Sequence, residues 1–315
     1  MKKDSPGNRL GAAAFTTLFR AIGILPWSLL HMLAEVIAFL AQRVVKYRRP
    51  IVESNLRSSF PEKGEKWVKQ TASGFYRHLA NYFVETAKMS VMSRRDMSRR
   101  LIYEGLEEAE AFIKAGKDVT LMLGHYGNWE WLSSIPAFGS GGYVGAQIYH
   151  PLENRAADIA FFHLRSRFGA VSVKMSSTIR TILGWHREGI RSMTGYIADQ
   201  SPMADDTHLW VDFLNHDTPV FTGAERIARK LRGPVFYIEI FRTGRSRYTA
   251  RFVKICDDAS RQEMFAPTKE YYRLLEQTIR RSPEMWLWSH RRWKRTRADF
   301  EARWGDKAAE RLVRM

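Results

Sequence analysis

An apolar run followed by a polar turn stands near the middle of the chain, where residues 119–131 read VTLMLGHYGNWEW. The first five residues show no polar alternation, and a short run of this kind favours a strand buried on both faces. Such strands occur in parallel sheets that helices cover. Gly124 and Gly127 allow a tight turn directly after the run. The stretch therefore predicts an α/β fold with His125 at the carboxyl end of a central strand.

The segments around this stretch alternate between strand-like and helix-like patterns. Helical spacing of apolar residues predicts a long helix over 62–92 and a shorter one over 106–115 that Gly116 closes. The remaining predicted strands are 143–149, 170–174, 193–198, 209–213, 235–242 and 247–255, and the remaining predicted helices are 156–168, 177–187, 223–232 and 269–280. We expect one catalytic domain, 46–315, built on a mixed central sheet flanked by helices.

Charge and composition limit the function classes. The chain has 315 residues, 50 Lys and Arg against 33 Asp and Glu, and a formal net charge of +17. This excess favours anionic partners, among which nucleic acid, anionic lipid and acidic carrier proteins all qualify. Cys256 is the one cysteine in the sequence, so an intramolecular disulfide is excluded, and we expect a packed strand-end residue rather than a nucleophile.

The stretch 21–42 is apolar over about the ~20 residues that cross a bilayer. Pro26, His31 and Glu35 interrupt it, so a full span, contact with a membrane surface and a buried core helix all remain open. Basic residues concentrate after the stretch, which favours a cytoplasmic location for the rest of the chain. We expect residues 1–45 to form an N-terminal membrane-anchoring segment.

His125 and Glu130 form the most informative pair in the sequence. A carboxylate that folds back onto the imidazole would fix its tautomer and stabilise its protonated form. The pair could then remove a proton from a hydroxyl as it attacks a thioester. A structural histidine, a metal site and a serine hydrolase are the alternatives. The sequence has no H-E-x-x-H, no Cys/His ligand set and no G-x-S-x-G.

Several motifs resemble one family. The segment 124–130 resembles the H-x4-D/E motif of glycerolipid acyltransferases and, in its Glu form, the late acyltransferases of lipid A biosynthesis, the lauroyl and myristoyl transferases. Further matching segments are IVESNL at 51–56 with Phe60-Pro61, YHPLEN at 149–154, Asp199-Gln200, Phe221-Thr222-Gly223 with Ala228-Arg229, and PEMWLWSHRRWK at 283–294. One departure is His150, which stands where the family commonly has Arg.

The resemblance implies a transferase at the cytoplasmic face of the bacterial inner membrane. It would move an acyl chain from acyl carrier protein or acyl-CoA to a hydroxyl of a lipid A precursor, with no metal or organic cofactor. By motif, His125 is the base, Glu130 is the carboxylate that orients it, and Arg165 or Arg167 meets the headgroup or thioester. Other substrate-binding candidates are Asn128, Asn154, Asp199, Gln200, Thr222, Arg291 and Arg292.

Some of these expectations have alternatives. Asp199 and Gln200 could hold the arginine or the acceptor sugar, or could only cap a loop. Trp286 and Trp288 suit a membrane interface or the protein core equally well. The acceptor could instead be a phosphatidylinositol mannoside or an aminolipid. A non-enzymatic basic protein that binds membranes or nucleic acid would explain the charge, but it leaves the His125 turn without a purpose, and we expect no nucleic-acid partner.

Overall fold

The computed structural model describes residues 5–312 of the chain. The helices in this range are α1 (Pro6–Ile24), α2 (Trp27–Phe39), α3 (Arg49–Ser59), α4 (Glu65–Met89), α5 (Arg94–Ser98), α6 (Leu106–Lys114), α7 (Ile135–Phe138), α8 (Arg155–Ser166), α9 (Thr178–Arg187), α10 (Gly223–Leu231), α11 (Ala266–Arg281), α12 (Arg297–Trp304) and α13 (Ala308–Leu312). The strands are β1 (Leu101–Glu104), β2 (Val119–Leu123), β3 (Val144–Tyr149), β4 (Val171–Lys174), β5 (Ser192–Ile197), β6 (Leu209–Phe213), β7 (His216–Val220), β8 (Val235–Gly244) and β9 (Arg247–Cys256).

A seven-stranded sheet forms the centre of the fold, with the strand order β1-β9-β8-β2-β5-β3-β4. Strands β8, β2, β5, β3 and β4 run parallel to one another, whereas β9 is antiparallel to β8 and parallel to β1. The predicted mixed sheet flanked by helices is confirmed. Active groups are therefore expected where the parallel strands end.

Strand β2 lies between β8 and β5, and all five of its residues are buried. Helix α11 crosses the carboxyl ends of β2 and β5 and fixes both. The Tyr271 hydroxyl donates to the Leu123 carbonyl oxygen over 2.8 Å, and the Tyr272 hydroxyl donates to the Ala198 carbonyl oxygen over 2.6 Å. Because both bonds are buried, they hold the two strand ends at a constant separation.

The long predicted helix is present as α4. Its two neighbours α1 and α2 pack along it, and Ala80 and Val84 of α4 share a small apolar core with Leu30, Ala34 and Ala38 of α2. The opposite side of α4 carries Tyr82 and Glu85, both buried against the turn that follows β2. One helix thus joins the N-terminal helices to the centre of the molecule.

The apolar stretch 21–42 is not one continuous helix, because α1 ends at Ile24 and Pro26 separates it from α2. A π-helical turn, Leu40–Val44, continues α2. Together they give an 18-residue helix, Trp27–Val44, with a mean hydropathy of 1.2, which could cross a membrane by length and composition alone. Only 17% of that helix is buried in the protein, so a core helix is the wrong interpretation.

Three strand assignments differ from the sequence prediction. Residues 209–213 form β6, but β6 pairs with β7 in a separate antiparallel hairpin and does not join the central sheet. Neither β1 nor β7 was predicted. Strand β1 is only four residues long, and β7 contains Pro219, which is typical of a sheet edge and argues against a central strand.

Candidate active site

The register of β2 and β5 brings His125 and Asp199 together. Leu123 pairs with Ile197 at the ends of the two parallel strands, and His125 and Asp199 each lie two residues further along. The His125 Nδ1 and the Asp199 Oδ1 are 2.6 Å apart. In addition, the backbone N–H of His125 donates to the Asp199 Oδ2 over 2.8 Å. The same carboxylate therefore fixes both the ring and the backbone of His125.

The second ring nitrogen, Nε2, lies beside the side chain of Gln200. With Asp199 accepting a hydrogen bond from Nδ1–H, the Nε2 of neutral His125 carries a lone pair. The Gln200 side-chain nitrogen lies 3.3 Å from that Nε2, and the His125 side chain is 18% exposed. A substrate hydroxyl could reach the position that Gln200 now fills.

Asp199 is almost fully buried but remains ionised. Burial alone would raise its pKa, whereas the charge and hydrogen bond of His125 and the hydrogen bond from Trp286 lower it, and the net pKa is below the ordinary value. The Trp286 indole N–H donates to the Asp199 Oδ2 over 2.8 Å. A charge-assisted network of this kind is stable inside a protein because every acceptor has a donor.

Glu130, the carboxylate expected to orient His125, has its side-chain hydrogen bonds with Arg165 and Tyr82 rather than with His125. Glu130 forms a two-pronged ion pair with Arg165, in which the Arg165 Nε and Nη2 donate to the two carboxylate oxygens over 2.7 and 2.6 Å. The turn explains the difference. Gly127 has φ +61°, and the 3-10 turn Trp129–Ser134 carries Glu130 away from the ring toward α8.

The two candidate arginines have different partners. Arg165 pairs with Glu130, while the exposed Arg167 donates to the Met92 carbonyl oxygen over 2.9 Å. Burial would raise the pKa of Glu130, but the charge and hydrogen bonds of Arg165 outweigh it, so the pKa falls below its ordinary value. The Tyr82 hydroxyl adds a longer hydrogen bond to the Glu130 Oε1, at 3.3 Å.

A third buried carboxylate, Glu85 of α4, contacts the turn that follows β2. The Asn128 side-chain N–H donates to the Glu85 Oε2 over 2.8 Å, and the Tyr248 hydroxyl donates to the same oxygen over 3.0 Å. Burial raises the pKa of Glu85, and these hydrogen bonds partly offset the rise. Asn128, predicted to bind substrate, is therefore directed into the protein and holds the turn in place.

An apolar groove of about 690 Å³ leads away from the site between α2, α4 and the C-terminal segment. At its inner end the Trp129 ring stacks on Tyr82, with ring centroids 4.1 Å apart, and meets His125 edge-on at 5.2 Å. His290 lies on the groove wall, and its Nε2 is buried without a hydrogen-bond partner among the described residues. Burial lowers the pKa of His290 to about 4, so its ring is neutral at physiological pH.

The other predicted site residues lie in varied surroundings. Asn154 is exposed, and its side-chain oxygen accepts from the Ala157 N–H, so it caps α8. Thr222 is buried at the start of α10. Arg291 is exposed, but Arg292 is fully buried and donates to the Pro219 carbonyl oxygen over 2.8 Å. Arg292, a candidate for substrate binding, is therefore not exposed at the surface.

The C-terminal tryptophans belong to the core rather than to a membrane interface. Trp286 and Trp288 are 3% and 0% exposed, and the half-buried Trp293 stacks on His216 with ring centroids 3.9 Å apart. Asp199 and Gln200, which could have held an arginine or the acceptor sugar or only capped a loop, both contact His125.

Sequence reasoning missed Tyr82, Glu85, Trp129 and His290. The polar positions Asn81 and Glu85 inside an otherwise apolar helical pattern could have indicated a buried network on α4, since a carboxylate is rarely buried without partners. Across residues 5–312, no group of three or more His, Cys, Asp or Glu side chains comes together in a way that could hold a metal ion.

Comparisons with known proteins identify the family of this chain. The family model described as bacterial lipid A biosynthesis acyltransferase matches residues 8–295, a range that includes His125, Glu130, Arg165 and Asp199. A lipid A biosynthesis acyltransferase of Haemophilus influenzae is 23% identical over 270 residues, which cover 85% of this chain and 82% of that protein. Because the family model spans most of its length, the chain belongs to the bacterial lipid A biosynthesis acyltransferase family.

Proposed function

We propose that this protein is a membrane-associated O-acyltransferase in which His125, oriented by Asp199, is the general base. The acyl donor is a thioester of acyl carrier protein or of coenzyme A, and the acceptor is a hydroxyl of a lipid A precursor. The contact between the His125 Nδ1 and the Asp199 carboxylate carries this proposal, because it leaves Nε2 free to accept a proton.

The reaction requires one proton to be moved twice. The His125 Nε2 takes the proton from the acceptor hydroxyl while the oxygen attacks the thioester carbonyl carbon and a C–O bond forms. The tetrahedral intermediate then collapses, the C–S bond breaks, and the thiolate leaves with the proton from His125. The ester and a free thiol are the products. The ionised Asp199 stabilises the imidazolium between the two transfers.

Glu130 and Arg165 shape the site next to this base. Their ion pair is almost fully buried, and it holds the Tyr82 hydroxyl, whose ring in turn stacks on Trp129. Tyr82 and Trp129 form the inner end of the apolar groove. We infer that the ion pair keeps this end in one conformation, so that a bound acyl chain presents its carbonyl to His125.

The groove suits a fatty acyl chain. Its volume, about 690 Å³, lies within the ~300–1,000 Å³ of typical ligand pockets, and its lining is mostly apolar. His290 is on the groove wall, and the chain that follows it carries two exposed cations, Arg291 directly after it and Lys294 three residues further along. Positive charge at this place would attract the phosphates that both kinds of donor carry.

His125→Ala is the variant that tests the proposal. We expect acyl transfer to fall by ~10²–10⁴-fold, which is what a positioned base contributes, and circular dichroism checks that the variant is folded. The assay mixes purified protein, acyl-loaded carrier protein and a lipid A precursor, and mass spectrometry follows the gain of one acyl chain.

His163→Ala is a matched control, because His163 is an exposed histidine of α8. Near-normal transfer by folded His125→Ala would refute the assignment of the base. Transfer by the wild-type protein to another lipid, with the lipid A precursor left unchanged, would refute the acceptor and favour a different lipid hydroxyl or amine.

A further inference from the structure

We propose that the apolar helix Trp27–Val44 does not cross the membrane but lies in the plane of one leaflet, held against the catalytic body. Its length is the first argument. At about 1.5 Å per residue its 18 residues span ~27 Å, slightly less than the ~30 Å hydrocarbon core of a bilayer.

Polar contacts along the helix give the second argument. The His31 Nε2 lies 2.9 Å from the Ser246 hydroxyl, and Glu35 forms ion pairs with Arg77 and Arg245 over 3.6 and 3.3 Å. Further along, Gln42 accepts from the Ser73 hydroxyl at 3.2 Å. A helix that crossed the bilayer away from the body would lose these partners and place a histidine and a carboxylate in hydrocarbon, which is costly.

Packing gives the third argument. Leu30, Ala34 and Ala38 recur every four residues and are buried against α4. Helix α1 approaches α4 and α8 just as closely, since a Cβ at Gly23 would lie 2.7 Å from the Ala87 carbonyl oxygen and one at Gly11 would lie 2.8 Å from the Ala156 Cβ. Helices α1 and α2 therefore pack closely against the catalytic domain. Because this domain cannot enter the hydrocarbon core of a bilayer, the helices that pack on it cannot cross the bilayer either.

The side of α2 that faces away from the body is apolar and uncovered. Its residues recur at helical spacing and are between 42% and 60% exposed: Leu29, Met32, Val36 and Phe39. A helix with one apolar face in lipid and polar residues on another side is typical of interfacial membrane binding. We infer that this side of α2 contacts the lipid chains of one leaflet.

Charge next to this face matches an anionic leaflet. Arg43 and Lys46 are exposed, and within residues 5–312 neither is paired with a carboxylate. Each such cation near an anionic surface contributes about 1 kcal/mol to binding. Their position at the end of the apolar stripe places them at headgroup level when the stripe is immersed.

The in-plane position has a consequence that rests on the proposed function. Ile37, Leu40 and Val45 line the mouth of the apolar groove, and Tyr82 and Trp129 line its inner end. A lipid chain in the same leaflet could therefore slide sideways into the groove and reach His125 without leaving an apolar environment.

Depth measurements separate the two orientations without any acyl transfer. In a Cys256→Ala background, single cysteines replace Leu29, Met32, Val36 and Phe39 and carry an environment-sensitive fluorophore. The protein is bound to vesicles of phosphatidylethanolamine and phosphatidylglycerol, and spin-labelled lipids quench the label at known depths. We expect one shared depth of about 5–10 Å for all four positions. A helix that spans would instead show depths that increase from Leu29 to Val36 by about 10 Å.

A second experiment measures vesicle binding without a fluorophore, since the label itself could change the binding. Val36→Asp should weaken vesicle binding at least tenfold. Ile190→Asp is the control and should leave vesicle binding unchanged, because Ile190 lies in the loop before β5. The two side chains are similarly exposed, at 50% for Val36 and 39% for Ile190. Both proteins should keep their melting temperatures, since exposed substitutions usually change stability by less than ~0.5 kcal/mol. Graded depths, unchanged binding by Val36→Asp, or a stripe covered by a second copy of the chain in vesicle-bound protein would each overturn the proposal.

Discussion

Two buried carboxylates, Asp199 and Glu130, lie beside His125 and have different partners. Asp199 contacts the imidazole, while Glu130 neutralises Arg165. Their neighbours explain why both stay charged, because hydrogen bonds and electrostatic interactions with these neighbours together outweigh the effect of burial on the pKa. The loss of either carboxylate should therefore have a different physical consequence.

Glu130→Gln removes the counter-charge of Arg165, whose side chain is only 17% exposed. An uncompensated buried cation is costly, so we expect the free energy of unfolding to fall by on the order of 3 kcal/mol. Urea denaturation of the purified variant measures this loss. In Glu130→Gln/Arg165→Met no charge is left unpaired, and most of the stability should return. If the losses in unfolding free energy of the two single variants simply add in the double variant, a direct ion pair between Glu130 and Arg165 is contradicted.

At the scale of elements, the turn between β2 and the 3-10 turn Trp129–Ser134 depends on Gly127. Its φ is +61°, and an added Cβ would lie 2.8 Å from the Ile240 Cγ2. Gly127→Ala should therefore cost more than the ~1–2 kcal/mol of left-handed strain alone. It should also reduce transfer, because the turn positions both His125 and Glu130.

Gly116→Ala is the matched control for this change. Gly116 has φ +78°, but nothing lies within 4 Å of its added Cβ. It should show the strain cost without the clash and should keep full activity. Thermal unfolding and acyl transfer on the two variants check this, and equal losses of stability would contradict the packing argument.

Most elements of the sheet could be predicted from sequence. The apolar run of β2 and the alternating run of β9 have patterns that match their burial, and α4 ends within three residues of the predicted bounds. Strand β6 has a strand-like pattern too, but a pattern does not say which sheet a strand joins. Its partner β7 follows after two residues with positive φ, Leu214 and Asn215, and contains Pro219.

The site was only partly predictable, for a reason that lies in the strand order. His125 and Glu130 are close in sequence, which suggested that they form a pair. Asp199 follows β5, and only the adjacency of β2 and β5 in the folded sheet brings it to His125. Two strands separate β2 and β5 in the sequence, so spacing alone cannot show that they are neighbours.

At the scale of the whole molecule, acid should destabilise the fold through buried histidine. Burial and the nearby Arg242 lower the pKa of His78 to about 3. The unfolded chain, with an ordinary pKa of 6.5, binds the proton first, so stability is full above pH ~6.5 and falls as the pH drops toward 3. The slope approaches ~1.4 kcal/mol per pH unit.

His78→Gln removes this titration and keeps a side-chain oxygen that can accept from Arg242. The difference in unfolding free energy between pH 7 and pH 5 should shrink by about 2 kcal/mol relative to wild type. Between pH 7.5 and 8.5 the two proteins should change in parallel, because neither state of His78 is then protonated. An unchanged difference between pH 7 and pH 5 would show that His78 is not the group responsible.

We propose that Asp199, and not Glu130, orients His125 as the base. The most direct measurement is the single-turnover rate of acyl transfer by Asp199→Asn, made on protein with a wild-type far-UV spectrum and bound donor. An amide cannot stabilise the imidazolium and can favour the wrong tautomer of His125. We therefore expect the single-turnover rate to fall by ~10²–10⁴-fold. A rate within a few-fold of wild type, from folded Asp199→Asn with donor bound, would contradict it.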